Sequence, residues 1–280
     1  MIPTSSSITT DGGARPSSIT PERIENALPG ESDLSVRSVS KSYTLRGHEL
    51  PVLHDLTFDV QPGEFVAFVG PSGSGKSTLL NILAGLEAPD SGEVLLGGRG
   101  NPLGRTAYMP QKDGLMPWRS ALDNAALGLE VQGTPRGRAR ESASELFAIA
   151  GLEGFERSRP SELSGGMRQR VAFLRTLLTR GEAMLLDEPF GALDALTRSE
   201  MHEWLLGGWR DRRTTVLVTH DVEEALLLSD RVYTLSRRPA TILNVQTVPF
   251  SRPRSLETTA TPEFQSARAE LLAAVRLEAR

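Results

Sequence analysis

Residues 65–80 read Phe65-Val66-Ala67-Phe68-Val69-Gly70-Pro71-Ser72-Gly73-Ser74-Gly75-Lys76-Ser77-Thr78-Leu79-Leu80. The first five make a short apolar run of the kind buried on both faces of a parallel sheet. Leu79, Leu80, Ile82, Leu83 and Leu86 then recur at helical spacing. Strand, glycine-rich loop and helix in that order match the phosphate-binding loop. The glycines let backbone N–H groups curl around an anion, and the helix start adds unpaired N–H groups and a positive dipole end. Gly70, Pro71, Ser72, Gly73, Ser74, Gly75 and Thr78 are therefore candidate phosphate contacts. Lys76 supplies a mobile charge to the outer phosphates, and Ser77 a hydroxyl for Mg²⁺.

Working outward, Ala183-Met184-Leu185-Leu186-Asp187-Glu188 places two carboxylates after four apolar residues. That puts the acids at the C-terminal edge of a buried strand, where ligands sit in open α/β sheets. Beside a phosphate loop, Asp187 is expected to hold Mg²⁺ through water and Glu188 to polarise the attacking water. Ser164, Gly165 and Gly166 open a further helix over 164–179, 23 residues before Asp187, and form a second anion site. A single nucleotide has one outer phosphate. Two such sites in one chain are reconciled if two copies face head to tail, each phosphate loop meeting the other copy's Ser164 site.

The remaining segments alternate in type. Strands are expected at Leu34–Val39, Leu56–Val60, Glu93–Leu96, Arg105–Met109, Thr215–Val218, Arg231–Leu235 and Thr241–Val248. Helices are expected across 112–160, with Thr134 capping, Pro135 at the first helical position, Leu146 and Ile149 continuing and Gly151 ending one of them. Others are expected over 195–211, after Asp221 with Glu224 completing a capping box, and over 262–279 on Phe264, Leu271 and Val275. Strands alternating with helices imply an α/β domain with a mainly parallel sheet, and the alternating N-terminal strands an antiparallel sheet beside it. The organisation expected is a polar tail over 1–32, a catalytic domain over 33–250 with a helical subdomain inserted at about 112–180, and a C-terminal extension over 251–280.

Composition narrows the function classes. With 280 residues, 39% hydrophobic and 24% charged, the chain can bury a core. A net charge of −4 argues against a broad grip on nucleic acid. The absence of cysteine excludes disulfides, thiolate metal sites and thiol nucleophiles. No run approaches the roughly 20 apolar residues that cross a bilayer, and the first 20 residues lack the apolar core of a secretory signal. Lysine is rare beside arginine, which draws attention to Lys41, Lys76 and Lys112.

Over roughly residues 34–245 the motif set resembles the nucleotide-binding subunit of an ATP-binding-cassette (ABC) transporter. Gly70–Thr78 matches the Walker A loop and Met184–Glu188 the Walker B strand. Leu163–Gln169 resembles the family signature, with Met167 where glutamine is common. The resemblance implies an α/β fold: a P-loop NTPase ABC ATPase core, an N-terminal antiparallel β subdomain and an inserted helical subdomain. It implies ATP and Mg²⁺ as ligands, with Glu188, His220, Gln111 and Lys76 in catalysis. Gln111 matches the glutamine that senses Mg²⁺ and the γ-phosphate, so Ser77, Gln111 and Asp187 are the implied metal-side residues. Ala192-Leu193-Asp194 matches the D-loop, His220 the switch histidine, and Tyr43, 27 residues before Gly70, the aromatic that stacks on adenine. Ser164, Gly165, Gly166 and Gln169 are implied to face the nucleotide of a second copy.

The resemblance also implies integral membrane permease subunits as partners, a solute-binding protein acting indirectly, no nucleic acid, and a place at the cytoplasmic face of the membrane. Leu115-Met116-Pro117-Trp118-Arg119 reads either as a groove for a partner helix or as core of the helical subdomain. Asp187-Glu188-Pro189-Phe190-Gly191-Ala192-Leu193-Asp194 resembles importers. Met116-Pro117-Trp118, Ala195-Leu196-Thr197-Arg198 and Leu235-Ser236-Arg237-Arg238-Pro239 resemble the nitrate/sulfonate/taurine group. Tyr108-Met109-Pro110-Gln111-Lys112-Asp113 resembles importers of thiamine pyrimidine precursors or riboflavin. The rival classes are a soluble non-transport cassette and a P-loop kinase or GTPase; the latter leaves Ser164–Gln169 and His220 without a role.

Overall fold

The computed structural model describes residues 34–207 and 213–278. The tail expected over 1–32, the end of the helix expected over 195–211 and residue 279 lie outside the described residues. The strands are β1 (Leu34–Leu45), β2 (His48–Val60), β3 (Phe65–Val69), β4 (Ser91–Leu96), β5 (Thr106–Met109), β6 (Ala183–Asp187), β7 (Thr214–Val218), β8 (Arg231–Leu235) and β9 (Ile242–Thr247). The helices are α1 (Lys76–Leu83), α2 (Ala121–Ala125), α3 (Leu127–Val131), α4 (Arg136–Phe147), α5 (Gly165–Leu178), α6 (Ala195–Gly207), α7 (Val222–Leu228) and α8 (Pro262–Glu278).

Two sheets organise the chain. One is antiparallel in the order β2-β1-β4; the other has six strands in the order β5-β6-β7-β3-β8-β9. In the second sheet every neighbouring pair is parallel except β8 with β9. Strand periodicity divides the core between its two faces. Val66 and Phe68 join Leu185, Val216 and Val218 around α1, whose Leu79, Leu80, Ile82 and Leu83 lie between this sheet and Val36, Leu56 and Phe58 of the antiparallel one. Ala67, Val69, Met184 and Leu186 face the opposite way, towards α5 and α7. Burying a residue such as Phe68 contributes about 1.5–3 kcal/mol. The phosphate-loop segment is thus held by apolar contacts on both faces of its strand and on the helix that follows.

The N-terminal hairpin is longer than expected. Residues 40–55 continue β1 and β2 rather than separating two short strands. Arg46 (φ 52°) and Gly47 (φ 81°) make a two-residue left-handed turn that pairs Leu45 with His48. The side chains near this tip are polar or exposed, so alternation gives no signal there. The inserted region is helical from Ala121, and α4 starts at Arg136 with Pro135, not Thr134, at its cap. It stops at Phe147, leaving Ile149 38% exposed beyond its end.

Asp221 caps α7 as expected, its carboxylate accepting from the Glu223 and Glu224 N–H groups. Glu224 does not complete the capping box. It is buried and turns to His202 and Thr219, and the Asp221 N–H donates to Thr219 Oγ1 at 3.0 Å instead. The C-terminal extension packs on the core through the fully buried Phe264 and Leu271. Arg254 Nη1 donates to the carbonyls of Leu226, Leu227 and Ser229 at 3.3, 3.2 and 2.6 Å, closing the end of α7. Burial, aided by Arg252, lowers the Arg254 pKa to about 10.

Candidate active site

The β3–α1 connection forms the floor of an open groove of about 640 Å³. Gly75 takes φ 102°, and a Cβ there would lie 2.7 Å from Val52 Cγ1 and 2.9 Å from Leu53 Cδ2. Gly70 runs against β8, where a Cβ would lie 2.9 Å from the Leu235 carbonyl oxygen. Only glycine lets the loop follow this course under the hairpin and beside β8. Lys76 begins α1 and is buried; its Nζ donates to the carbonyls of Gly70 and Pro71, each at 2.9 Å, and lies 3.5 Å from Ser74 Oγ. Burial lowers its pKa, opposed by the charges of Glu188 and Asp187.

Asp187 ends β6 and is 2% exposed. Burial raises its pKa, opposed by a hydrogen bond with the Ser77 side chain. Tyr108 on β5 is pushed up to about 12 by burial, then by the Asp187 charge, and its hydroxyl donates to Asn81 Oδ1 at 3.0 Å. The chain leaves the sheet at Glu188, which adopts the left-handed φ of 49° while its N–H still bonds the Val218 carbonyl at 2.8 Å. A non-glycine residue held there costs on the order of 1–3 kcal/mol, and such residues cluster at functional sites. The Glu188 carboxylate receives Gln111 Nε2 at 3.2 Å on Oε2 and has His220 Nδ1 3.5 Å from Oε1. Lys76, Ser77, Asp187, Glu188 and Gln111 therefore share one groove, and His220 stands at its margin.

Tyr43 closes the other end of the groove beside Leu45, Leu50 and Val52. It is 37% exposed, and its hydroxyl donates to Glu87 Oε2 at 2.7 Å. Lys41 anchors the same corner, 3.0 Å from Asp90 and 3.6 Å from Glu87. An exposed ring fixed at its tip is a platform for a flat aromatic ligand. Tyr43→Ala is expected to weaken ATP binding by about 0.5–1.5 kcal/mol, roughly two- to twelvefold, and titration of a fluorescent ATP analogue measures it. Equal affinity would remove Tyr43 from the site.

Ser164 caps α5, its hydroxyl accepting from the Met167 N–H at 3.2 Å. Neither Ser164, Gly165 nor Gly166 lines this groove. Gln169, expected beside them on the nucleotide of a second copy, turns the other way: it is 8% exposed, and its Nε2 donates to the Glu188 carbonyl at 2.8 Å. The reason is helical spacing. Three residues beyond Gly166, position 169 points at the turn after β6, where its amide joins the Gly191 N–H as a second donor to the Glu188 carbonyl.

Arg238 also lines the groove, its Nη2 3.3 Å from where a Gly73 Cβ would sit. The sequence signalled it only within the run 235–239. The stretch 115–119 divides between its two readings: Leu115 is buried, whereas Trp118 is 68% exposed. Arg119 is paired with Glu130 at 2.8 Å.

Residues 53–191 match the family described as ABC transporter. The aliphatic sulfonates import ATP-binding protein SsuB 1 of Rhodococcus jostii is 50% identical over 210 residues, covering 75% of this chain and 82% of that protein. The taurine import ATP-binding protein TauB of Chromobacterium violaceum is 44% identical over 239 residues, 82% of this chain and 91% of that one. The formylaminopyrimidine import ATP-binding protein ThiZ of Halalkalibacterium halodurans is 44% identical over 233 residues, 83% and 91%. Among solved structures, a dimeric ATP-binding cassette in a post-hydrolysis state with ADP and Pi superposes with a TM-score of 0.70 at 30% identity, covering 78% of this chain and all of that one.

Proposed function

The chain belongs to the ABC transporter family as an ATP-binding, ATP-hydrolysing subunit, and on that premise we propose that it drives uptake of a small anion of the nitrate, sulfonate or taurine type. The observation that carries the hydrolytic part is the convergence of Lys76, Asp187, Glu188 and Gln111 on one groove. Glu188 orients and deprotonates the attacking water, Gln111 and His220 hold its carboxylate in register, and Lys76 with the loop N–H groups stabilises charge on the outer phosphate. Tyr43 seats the adenine.

A divalent cation fits the donor set. Asp187 and Ser77 offer adjacent oxygens, and Mg²⁺ commonly takes one or two protein oxygens plus substrate phosphates and water. When bound, it would neutralise charge on the phosphates.

The groove lacks Ser164, Gly165 and Gly166, which supports closure of two copies head to tail, each completing the other's site. The dimeric cassette similar to this chain supports the same assembly. Closure favoured by the γ-phosphate and opening after hydrolysis give a cycle of motion. No helix among the described residues is long and apolar enough to cross a membrane. Force therefore passes to membrane subunits, at the cytoplasmic face, through a surface that includes Trp118, and a solute-binding protein delivers the cargo.

The sulfonate and taurine relatives support the first cargo class; the formylaminopyrimidine relative favours a thiamine-precursor importer as the second reading. Reconstitution with its membrane subunits separates them. ATP turnover stimulated by a binding protein loaded with taurine or an alkanesulfonate is expected. Stimulation by a formylaminopyrimidine alone would transfer the assignment to the second reading.

A further inference from the structure

Behind the groove lies a buried polar cluster that the hydrolytic reading does not use. His202 on α6 is 6% exposed, Glu224 on α7 4%, and Thr219 at the end of β7 2%. Glu224 Oε1 is 3.3 Å from His202 Nε2, and its other oxygen accepts the Thr219 hydroxyl. Thr219 Oγ1 accepts the Asp221 backbone N–H at 3.0 Å. Thr219 and Asp221 flank His220, so the cluster ties the backbone on both sides of that residue. A buried carboxylate is costly unless its lone pairs are met, and here a ring N–H and a hydroxyl meet them.

The same imidazole also packs on the turn that carries Glu188. The His202 ring stands edge-on to Phe190, with centroids 5.1 Å apart. Phe190 lies in the turn that begins at Glu188, and the Gly191 N–H closes that turn on the Glu188 carbonyl at 3.2 Å. One side chain therefore packs against the segments presenting both Glu188 and His220, whose side chains are 3.5 Å apart.

We propose that His202 is a positioning residue for hydrolysis: through Glu224 and Thr219 on one side and Phe190 on the other, it sets the register of His220 against Glu188. The inference rests on the roles proposed above for Glu188 and His220. His202 is not among the residues that line the groove. It donates Nε2–H to Glu224, the carboxylate fixing that tautomer. Loss of the donor leaves Glu224 half satisfied and free to turn, and the loop carrying His220 drifts with it. Misplacement of catalytic groups by about 1 Å can lower turnover by about 10²-fold.

The test uses the full-length purified chain. His202→Leu removes the donor and keeps an apolar contact for Phe190. It is expected to lower kcat about tenfold or more, with the KM for ATP and the affinity for an ATP analogue within about twofold of the parent. His202→Gln, whose amide can donate to the same carboxylate, is expected to restore most of the loss. Thr219→Val, assayed in parallel in case His202→Leu fails to fold, is expected to show the same loss in kcat at unchanged KM. Parental kcat in either loss variant overturns the proposal, as does a rise in KM with kcat unchanged, or a soluble His202→Gln no better than His202→Leu. Glu188→Gln in the same assay separates the two levels. If it retains turnover, the site reading fails; if it loses turnover while His202→Leu keeps it, only the present inference fails.

Discussion

Glu188→Gln binds ATP with near-parental affinity, accumulates as an ATP-bound dimer and loses turnover by about 10²–10⁴-fold, the usual contribution of a general base. The asymmetry between binding and turnover follows from the geometry. Glu188 stands in the groove on a left-handed backbone, bonded to Gln111 and close to His220, whereas the phosphate-loop cage around Lys76 is built without it. Glutamine has the same shape and can accept a hydrogen bond from Gln111, so the turn survives. It has no basic oxygen to take a proton from water. Gel filtration with ATP and Mg²⁺, beside a phosphate-release assay, measures both halves. A variant that stays monomeric, or one that hydrolyses ATP within about tenfold of the parent, contradicts the assignment.

Lys76→Ala is expected to act on the other quantity. The ammonium is held at the loop by two carbonyls at 2.9 Å, within 7% exposure. It can leave them for phosphate oxygens at little cost in chain ordering, because α1 already fixes its stem. A charge-assisted hydrogen bond contributes about 1.5–3 kcal/mol and more than one is available. ATP affinity should therefore fall by about 100-fold or more, and turnover with it. Calorimetric titration with ATP reads the loss; unchanged affinity would refute the loop assignment. The fold should tolerate the change, since α1 is anchored by Leu79, Leu80, Ile82 and Leu83 rather than by Lys76.

How much was legible in the chain depends on which physical signal was local. The run 65–80 declared a strand, a turn and a helix because apolar periodicity and glycine content are properties of neighbouring residues. Ala183–Glu188 placed its acids at a strand end for the same reason. The hairpin tip at 46–47 gave no such signal: its flanks are exposed, so nothing forced alternation. Glu224 matched the spacing of a capping box, yet the burial it finds between α6 and β7 overrides that local option. Gln169, placed by motif order beside Ser164–Gly166, donates within this chain to the Glu188 carbonyl on a turn distant in sequence.

The sequence by itself determined where the candidate groups of the phosphate loop and of the Ala183–Glu188 strand stand relative to strand ends and helix starts, since that follows from periodicity, glycine and charge over a few residues. Only the tertiary structure decided what those groups touch. The Gln111–Glu188–His220 contacts, the Tyr43 platform held by Glu87, Arg238 beside Gly73 and the buried His202–Glu224–Thr219 cluster all join residues far apart in the chain. Such partners are chosen by the cost of leaving a polar group unpaired once the core has closed around it, and that cost does not exist until the chain has folded.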